Sequence, residues 1–303
     1  MNYIMQKEEN NRHRFGSAAL IGRPNAGKST LVNYLVGEKI AIVTDKPQTT
    51  RTRIMGIVTR PDWQMAVFDV PGIHKPKDRL GRSMVDAALS ALPGADVIYY
   101  IVDAAAGYGA GEAYILQILD KIRTPVFLLL NKVDLLAKET LLPLIAAWSE
   151  RREFAHIFPL SALKGDNVEE LLAATIEYFQ EGPACYDGDE MTDQSGRAMA
   201  AEMIREKAIM ATRQEIPYAV AVFIESMEER RPDLMDIHGA LVVDRDSQKG
   251  ILIGKKGAVL KWIGTEARKD IEDLLGVQVN LQLRVRTREN WRNNERQLKE
   301  FIN

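Results

Sequence analysis

The chain has 303 residues, of which 46% are hydrophobic and 27% charged, and a formal net charge of −2. That is the composition of a soluble globular protein with room for two ordinary domains, and the near-neutral total by itself argues against a nucleic-acid binder. The distribution qualifies this: Lys249 to Asn303 carries 12 Lys/Arg against 7 Asp/Glu, so the tail is +5 and the preceding residues −7, the footprint of an anionic partner for the C-terminal part. The single Cys185 cannot form an intrachain disulfide and has no metal-binding or nucleophile constellation near it, so a reducing cytosol is expected. The first residues, MNYIMQKEENNRHR, lack an apolar signal core. No stretch reaches the ~20 apolar residues needed to cross a bilayer, although peripheral membrane contact stays open.

In chain order, the first half alternates short apolar runs with amphipathic ones, which predicts an α/β domain: a mostly parallel sheet with helices on both faces. Strands are expected near Ala18 to Ile21, Trp63 to Val70, Val97 to Asp103, Val126 to Asn131 and Ile157 to Ser161. A helix over Asn167 to Phe179, with Asn167 as N-cap and Glu170 three residues on, closes this domain. QEGPACYDGDEMTDQSG, from Gln180 to Gly196, has turn-forming residues and no periodic apolar face, which reads as a linker. Beyond it, Met199, Met203, Ile204 and Ala208 repeat at helical spacing. Extended segments are expected at Tyr218 to Ile224 and Ala240 to Val243, then a helix around Ala258 to Leu275. Val277 to Arg286 alternates strictly, with Val277, Val279, Leu281, Leu283 and Val285 on one face. The domains are therefore expected at 15–182 and 197–303, joined by a linker at 183–196.

Gly22-Arg23-Pro24-Asn25-Ala26-Gly27-Lys28-Ser29, followed by Thr30, is a glycine-rich phosphate loop between a strand and a helix. Its backbone N–H groups must turn inward around a polyphosphate, Lys28 brings a point charge to the β and γ phosphates, and the Ser29 hydroxyl suits Mg²⁺. The helix that follows presents its positive N-terminal dipole to the anion. Asn131-Lys132-Val133-Asp134 is the matching guanine reader: the Asp134 carboxylate accepts from N1–H and the exocyclic amine, Asn131 steadies the loop, and the Lys132 stem packs along the ring. Ser161-Ala162-Leu163 offers the Ala162 N–H to guanine O6. Strand ends of open α/β sheets meet in one crevice, so these segments should converge. The ligands expected are GTP and GDP with Mg²⁺.

Asp69-Val70-Pro71-Gly72 has the DxxG form of a GTPase switch, with Asp69 holding Mg²⁺ through water and the Gly72 N–H sensing the γ phosphate. Within TDKPQTTRTR, Thr50 is preferred to Thr49 as the threonine that closes on Mg²⁺. The position after Gly72, where Ras-type enzymes carry a water-orienting glutamine, is Ile73, which can neither give nor take a proton. His74 fits a surface histidine of the switch better than a general base. Transition-state support therefore rests on Lys28, Asn25, Thr50 and Gly72, with no certain catalytic residue. Asn25 is either a turn former or, by likeness to GTPases with an asparagine in this loop, a ligand for an assisting K⁺.

Gly254-Lys255-Lys256-Gly257 fits the GxxG loop of KH domains, in which glycines admit the sugar-phosphate chain, lysines neutralise phosphates and an apolar groove takes about four unpaired bases. The order helix, strand, strand, GxxG helix pair, strand matches the type II arrangement, a smaller α+β domain. Lys261, Arg268 and Lys269 are candidates for the RNA side, although a solvated helix face explains them equally well. Arg284, Arg286, Arg288, Arg292 and Arg296 extend the positive character. Trp291 could stack on a base and Trp262 could be a contact, but core positions are the better expectation for both.

GRPNAGKSTLVN, PQTTRTR, DVPGIH, NKVD and IGKKGAVLKWIGTEARKDIE together resemble the Era family of bacterial GTPases, over nearly the whole chain. The resemblance implies GTP hydrolysis, binding near the 3′ end of 16S ribosomal RNA, assistance in assembly of the 30S subunit and loose association with the inner membrane surface; a monomer is expected. Pro47 in the first switch departs from the family pattern and should stiffen that loop. A decayed GTPase acting as an RNA scaffold, an ATP-driven remodeller and a tRNA-modifying GTPase, for which Cys185 is a poor reactive cysteine, are the rival readings.

Overall fold

The computed structural model describes residues 13–76, 78–213 and 216–302. They fall into two compact units: residues 13–41, 53–74 and 84–193 form the first, and 42–52, 75–83 and 194–302 the second.

The first unit is a seven-stranded sheet in the order β2-β3-β1-β4-β5-β6, with β7 also on β1. Its strands are β1 (Arg14–Gly22), β2 (Ile54–Arg60), β3 (Trp63–Asp69), β4 (Val97–Asp103), β5 (Val126–Asn131), β6 (His156–Pro159) and β7 (Gln180–Glu181). Pairing is parallel from β3 through β1, β4 and β5 to β6, and antiparallel for β2 on β3 and β7 on β1. A parallel sheet is covered on both faces, and β5 is accordingly buried along its whole length. On one face Ile98, Tyr100, Leu128 and Leu130 pack with Ala88 of α2 (Arg79–Ser90), Ile115 and Leu119 of α3 (Ala110–Leu119) and Trp148 of α4 (Leu141–Ser149). On the other lie α1 (Lys28–Val36) and α5 (Val168–Ile176), the latter tied to the sheet by a 2.6 Å hydrogen bond between Tyr99 and Thr175.

Two local expectations need correction. Asn167 stands at the N-cap of α5 but in the left-handed region (φ 61°) with no side-chain cap; its amide donates to the Pro159 carbonyl at 2.7 Å. The linker segment is not loose. Met191 O accepts from Ile57 N at 2.8 Å, Thr192 donates to Met55 O at 2.7 Å, and the buried Gln64 side chain accepts from Cys185 N and Tyr186 N at 2.8 and 2.9 Å. The segment thereby covers the edge strand β2, whose unpaired backbone would otherwise be open to solvent. Strand β2 itself is announced by apolar, β-branched residues on both sides of Pro61-Asp62, a hairpin signal that the motif-led reading passes over.

The second unit contains α6 (Gly196–Met210), a short α7 (Ile216–Ala219), β8 (Ala221–Arg231), β9 (Leu234–Val243), α8 (Asp246–Ile253), α9 (Ala258–Leu275), β10 (Gln278–Thr287) and α10 (Glu295–Ile302). Its sheet runs β10-β9-β8, with β9 antiparallel to β8 and parallel to β10. Met203, Ile204 and Ala208 of α6 and Ile263, Ala267 and Ile271 of α9 cover one face. Tyr218 and Ala219, expected as strand, form a helical turn instead. Both partners of the β8–β9 hairpin run beyond the expected segments, because the charged stretch to Arg231 pairs where nothing covers it.

Replacing Gln64 by Leu leaves the Cys185, Tyr186 and Thr59 groups without their partner. A stability loss of about 2 kcal/mol and faster proteolytic cleavage within 183–193 are expected in urea unfolding and limited digestion. Unchanged cleavage there would show that the amide does not hold the segment.

Candidate functional site

The phosphate loop leaves β1 at Gly22 and enters α1 at Lys28. Gly27 turns at φ 105°, where a Cβ would lie 2.1 Å from the Asn131 Nδ2, so backbone conformation and close approach both demand glycine. Asn25 adopts φ 63°, which asparagine tolerates better than most residues, and its side chain is exposed. The turn-forming reading of Asn25 is thus satisfied, and a cation role is compatible with it. Arg23 is held by Glu112 at the start of α3, Nη1 donating to both carboxylate oxygens at 3.1 and 3.2 Å. Pro24, Asn25 and Ala26 complete the loop, and Thr30 is half-buried in the first turn of α1.

Lys28 is 5% exposed and donates to the Arg23 carbonyl at 3.0 Å. Burial pushes its ammonium down to about 8, and the Asp69 charge only partly offsets this. A buried cation with so little compensation favours an anion beside it. Ser29 Oγ donates to Asp69 Oδ2 at 2.5 Å, so the two oxygens expected to serve Mg²⁺ already share one point. Such a hydroxyl and carboxylate pair suits a hard divalent cation.

The DxxG segment is strapped to the phosphate loop. Ile73 N donates to Gly22 O at 2.9 Å, and a Cβ on Gly72 would come within 2.5 Å of Pro24 N. The Ile73 side chain is 1% exposed and belongs to the core with Ile21, Val70 and Tyr100. It serves packing. His74 is half-buried, with Nδ1 2.9 Å from the Gly72 carbonyl.

Asn131, at the end of β5, is 2% exposed. Its Nδ2 donates to Ala26 O at 2.8 Å and its Oδ1 accepts from Ala162 N at 2.8 Å. One amide therefore joins phosphate loop, base reader and Ser161-Ala162-Leu163 loop. Lys132 sits at φ 66° with Nζ 2.6 Å from Asp103 at the end of β4, and Lys164 approaches Asp134 at 3.9 Å. Ser161 is fully buried while Leu163 is 76% exposed, so that loop is presented by its backbone. Glu112, Asp103 and Lys164 escaped the sequence reading, because each acts from a helix, a strand end or a loop that has no motif of its own.

Thr49 and Thr50 belong to the second unit, in residues 42–52. Thr50 is buried, and the Thr49 carbonyl accepts from the buried Arg205 of α6 at 2.5 Å. Arg51 Nη1 donates to Val220 O at 2.7 Å, and Val43 N donates to Glu206 at 3.1 Å. Burial, followed by the neighbouring Arg205, lowers the Arg51 guanidinium to about 9. Asp78, in the other inserted segment, pairs with Arg292 at 3.3 Å.

The GKKG turn joins α8 to α9, with Gly254, Lys256 and Gly257 all at positive φ and both lysines exposed. Between α9 and β10 lies a groove of about 430 Å³ lined by Gly257, Leu260, Lys261, Gly264, Arg268 and Leu283 among others. The half-buried Leu281 and Leu283 of the alternating strand form its apolar floor. Lys261 and Arg268 line it; Lys269 does not, and pairs with Glu266 at 2.7 Å. Arg284 and Arg286 both pair with Glu225, at 2.5 and 2.7 Å, so part of the counted positive charge is neutralised within the fold. Trp291 is fully buried against Phe301, as expected. Trp262 is not: it is 41% exposed, because α9 turns Ile263, Ala267 and Ile271 inward and leaves position 262 on the far side.

The burial of Ile73 generates a direct expectation. Ile73→Gln should not restore glutamine-assisted turnover; it should cost about 1–3 kcal/mol of stability by burying an unsatisfied amide. Thermal unfolding and GTP hydrolysis rates check this, and a faster, equally stable variant would contradict the core assignment.

Residues 17–132 match the family described as 50S ribosome-binding GTPase, and residues 215–292 match the KH domain family. The chain is 48% identical over 287 residues to GTPase Era of Lacticaseibacillus paracasei, covering 95% of this chain and 96% of that protein. GTPase Era of Geotalea uraniireducens is 49% identical over 288 residues, covering 95% and 97%. Among solved structures, it resembles Era in complex with MgGDPNP and nucleotides 1506–1542 of 16S ribosomal RNA, at 40% identity, TM-score 0.93, and 96% and 99% coverage of the two chains. A variant of Aquifex aeolicus Era bound to GDP·AlF4− matches at 39% identity, TM-score 0.92, and 95% and 99% coverage. With both domain families matched in order and near-complete coverage by relatives 48% and 49% identical, the chain belongs to the Era family of GTPases.

Proposed function

We propose that this protein binds GTP and GDP with Mg²⁺, hydrolyses GTP, and uses its nucleotide state to set how firmly its KH domain holds the 3′ end of 16S ribosomal RNA during 30S assembly. The observation that carries this is the coexistence, on one chain, of an Asn131-welded guanine site and a GKKG groove. The relative solved with MgGDPNP and 16S nucleotides supports the pairing of ligands. No helix among the described residues is long and apolar enough to cross a membrane. A monomer working in the cytoplasm, loosely associated with the inner membrane face, is the matching cellular reading.

In the nucleotide site, Gly22 to Thr30 would hold the phosphates, Lys28 would neutralise them, and Ser29 and Asp69 would hold Mg²⁺, which would supply charge neutralisation on the phosphate oxygens. Gly72 N–H senses the γ phosphate. Asp134 selects guanine over adenine because adenine lacks the paired donors, with Lys132 along the ring; the Ala162 N–H, expected at guanine O6, is instead given to Asn131 Oδ1 at 2.8 Å. Since Ile73 is a core residue, charge stabilisation carries the chemistry, and Asn25 as a K⁺ ligand would add to it. Hydrolysis should therefore be several-fold faster in KCl than in NaCl, with the difference lost in Asn25→Ala; equal wild-type rates in the two salts remove the K⁺ role.

The domains are proposed as a GTPase domain at 15–182, a connecting segment at 183–196 and a KH domain at 197–303. Residues 42–52 carry the switch threonines, and Arg205 and Glu206 of α6 bind their backbone. A switch held by the KH-bearing unit couples the two ligands, and linkage makes the coupling reciprocal. RNA affinity should differ between GDP-bound and GTP-analogue-bound protein by about 5- to 150-fold, and Arg205→Ala should shrink that ratio towards one. Filter-binding titrations read it, and identical affinities in wild type would defeat nucleotide gating.

A further inference from the structure

The exposed Trp262 is the side chain whose placement the function above does not use. Of the four tryptophans, Trp148 and Trp291 are 2% and 0% exposed and Trp63 is half-buried, whereas Trp262 is 41% exposed. Helix α9 has three sides. Ile263, Ala267 and Ile271 face the core, Leu260, Lys261, Gly264, Thr265 and Arg268 face the groove, and Trp262 stands on the third side, outside the groove's lining. A large indole left in water is informative where scattered small apolar side chains are not.

Its surroundings have a consistent chemistry. Side chains on a helix lean towards the preceding turn, which brings the indole over Ala258 and towards the GKKG turn. Ala258 is small and exposed, and the Lys255 and Lys256 side chains beside it are exposed cations. Ile251, in the last turn of α8, is 50% exposed and adds to the apolar surface near the same turn. An accessible aromatic face next to lysines that neutralise a sugar-phosphate chain is the combination by which proteins hold single-stranded nucleic acid.

We propose that Trp262 is a base-stacking platform for one unpaired nucleotide of the bound RNA, just outside the groove and adjacent to the phosphates held at Lys255 and Lys256. This rests on the reading of the second unit as a single-stranded RNA module. Charge selects the occupant: the cations at positions 255, 256 and 261 complement a polyanion. Stacking on the indole adds affinity with little base preference, since every base has a π face. The groove supplies base selection, and Trp262 extends the footprint by one nucleotide.

The test uses the full chain, a single-stranded RNA oligonucleotide of the 16S 3′-end sequence, and indole fluorescence. With Trp148 and Trp291 buried, RNA should quench the wild-type signal through Trp262, and Trp262→Phe and Trp262→Ala should lose that quenching. Trp262→Ala should bind on the order of tenfold more weakly, and Trp262→Phe within about threefold of wild type, because a phenyl ring still stacks. The dependence of affinity on salt should stay unchanged in Trp262→Ala, while Lys255→Ala with Lys256→Ala should lower its slope by about 1.4. Wild-type affinity in Trp262→Ala overturns the platform alone, as does Phe binding as weakly as Ala. Absence of RNA binding by the wild-type protein overturns the RNA reading and the platform with it. Loss of association with the 30S subunit while RNA affinity is unchanged would assign the ring to a protein partner instead.

Discussion

The Asn131 carboxamide is the constraint on which the nucleotide site depends. It donates to the phosphate loop at Ala26 O and accepts from Ala162 N, and at 2% exposure neither bond has water to replace it. A primary amide offers a donor and an acceptor on one rigid plane, which an aspartate or a leucine in that place could not do. The fit is reciprocal, since Gly27 must lack a Cβ for Nδ2 to approach. Three loops separated widely in sequence are thereby held as one surface. Preorganisation of this kind lowers the ordering cost of binding.

Electrostatics then decide what that surface accepts. Lys28 is buried where its charge is poorly compensated, and the hydroxyl of Ser29 meets the carboxylate of Asp69 at one point. The first arrangement asks for an anion and the second for a hard cation, and a nucleoside polyphosphate with Mg²⁺ satisfies both. Ile73 is committed to the core. Arg23, engaged with Glu112, is likewise committed to holding the loop.

In the second unit, net charge overstates what is free to bind. Arg284 and Arg286 are occupied by Glu225, Arg292 by Asp78 and Asp244, and Lys269 by Glu266. The exposed lysines of the GKKG turn and the groove-lining Lys261 and Arg268 define the basic surface more narrowly than composition does. The inserted segments at 42–52 and 75–83 matter for a different reason. Arg205, Glu206 and Arg292 hold their backbone and side chains through specific hydrogen bonds within the second unit.

Much was legible in the chain alone. Strands β4 and β5 and helix α9 lie where their apolar runs and periodicity place them, because burial on both sheet faces, or on one helix stripe, leaves a local pattern. The phosphate loop, DxxG and NKVD were readable because contact with phosphate and guanine demands particular residue types at short spacing. The tertiary structure alone decided the rest. That Gln180 to Asp193 covers β2, that Ile73 is core, that Trp262 is exposed and that Arg205 reaches the switch all depend on partners far away in sequence. Turn-rich composition cannot say which edge a segment will pair with, and an aromatic at helical spacing cannot say which of three helix sides faces the core. Local chemistry fixes what a residue can do; only packing determines whether it is placed to do it.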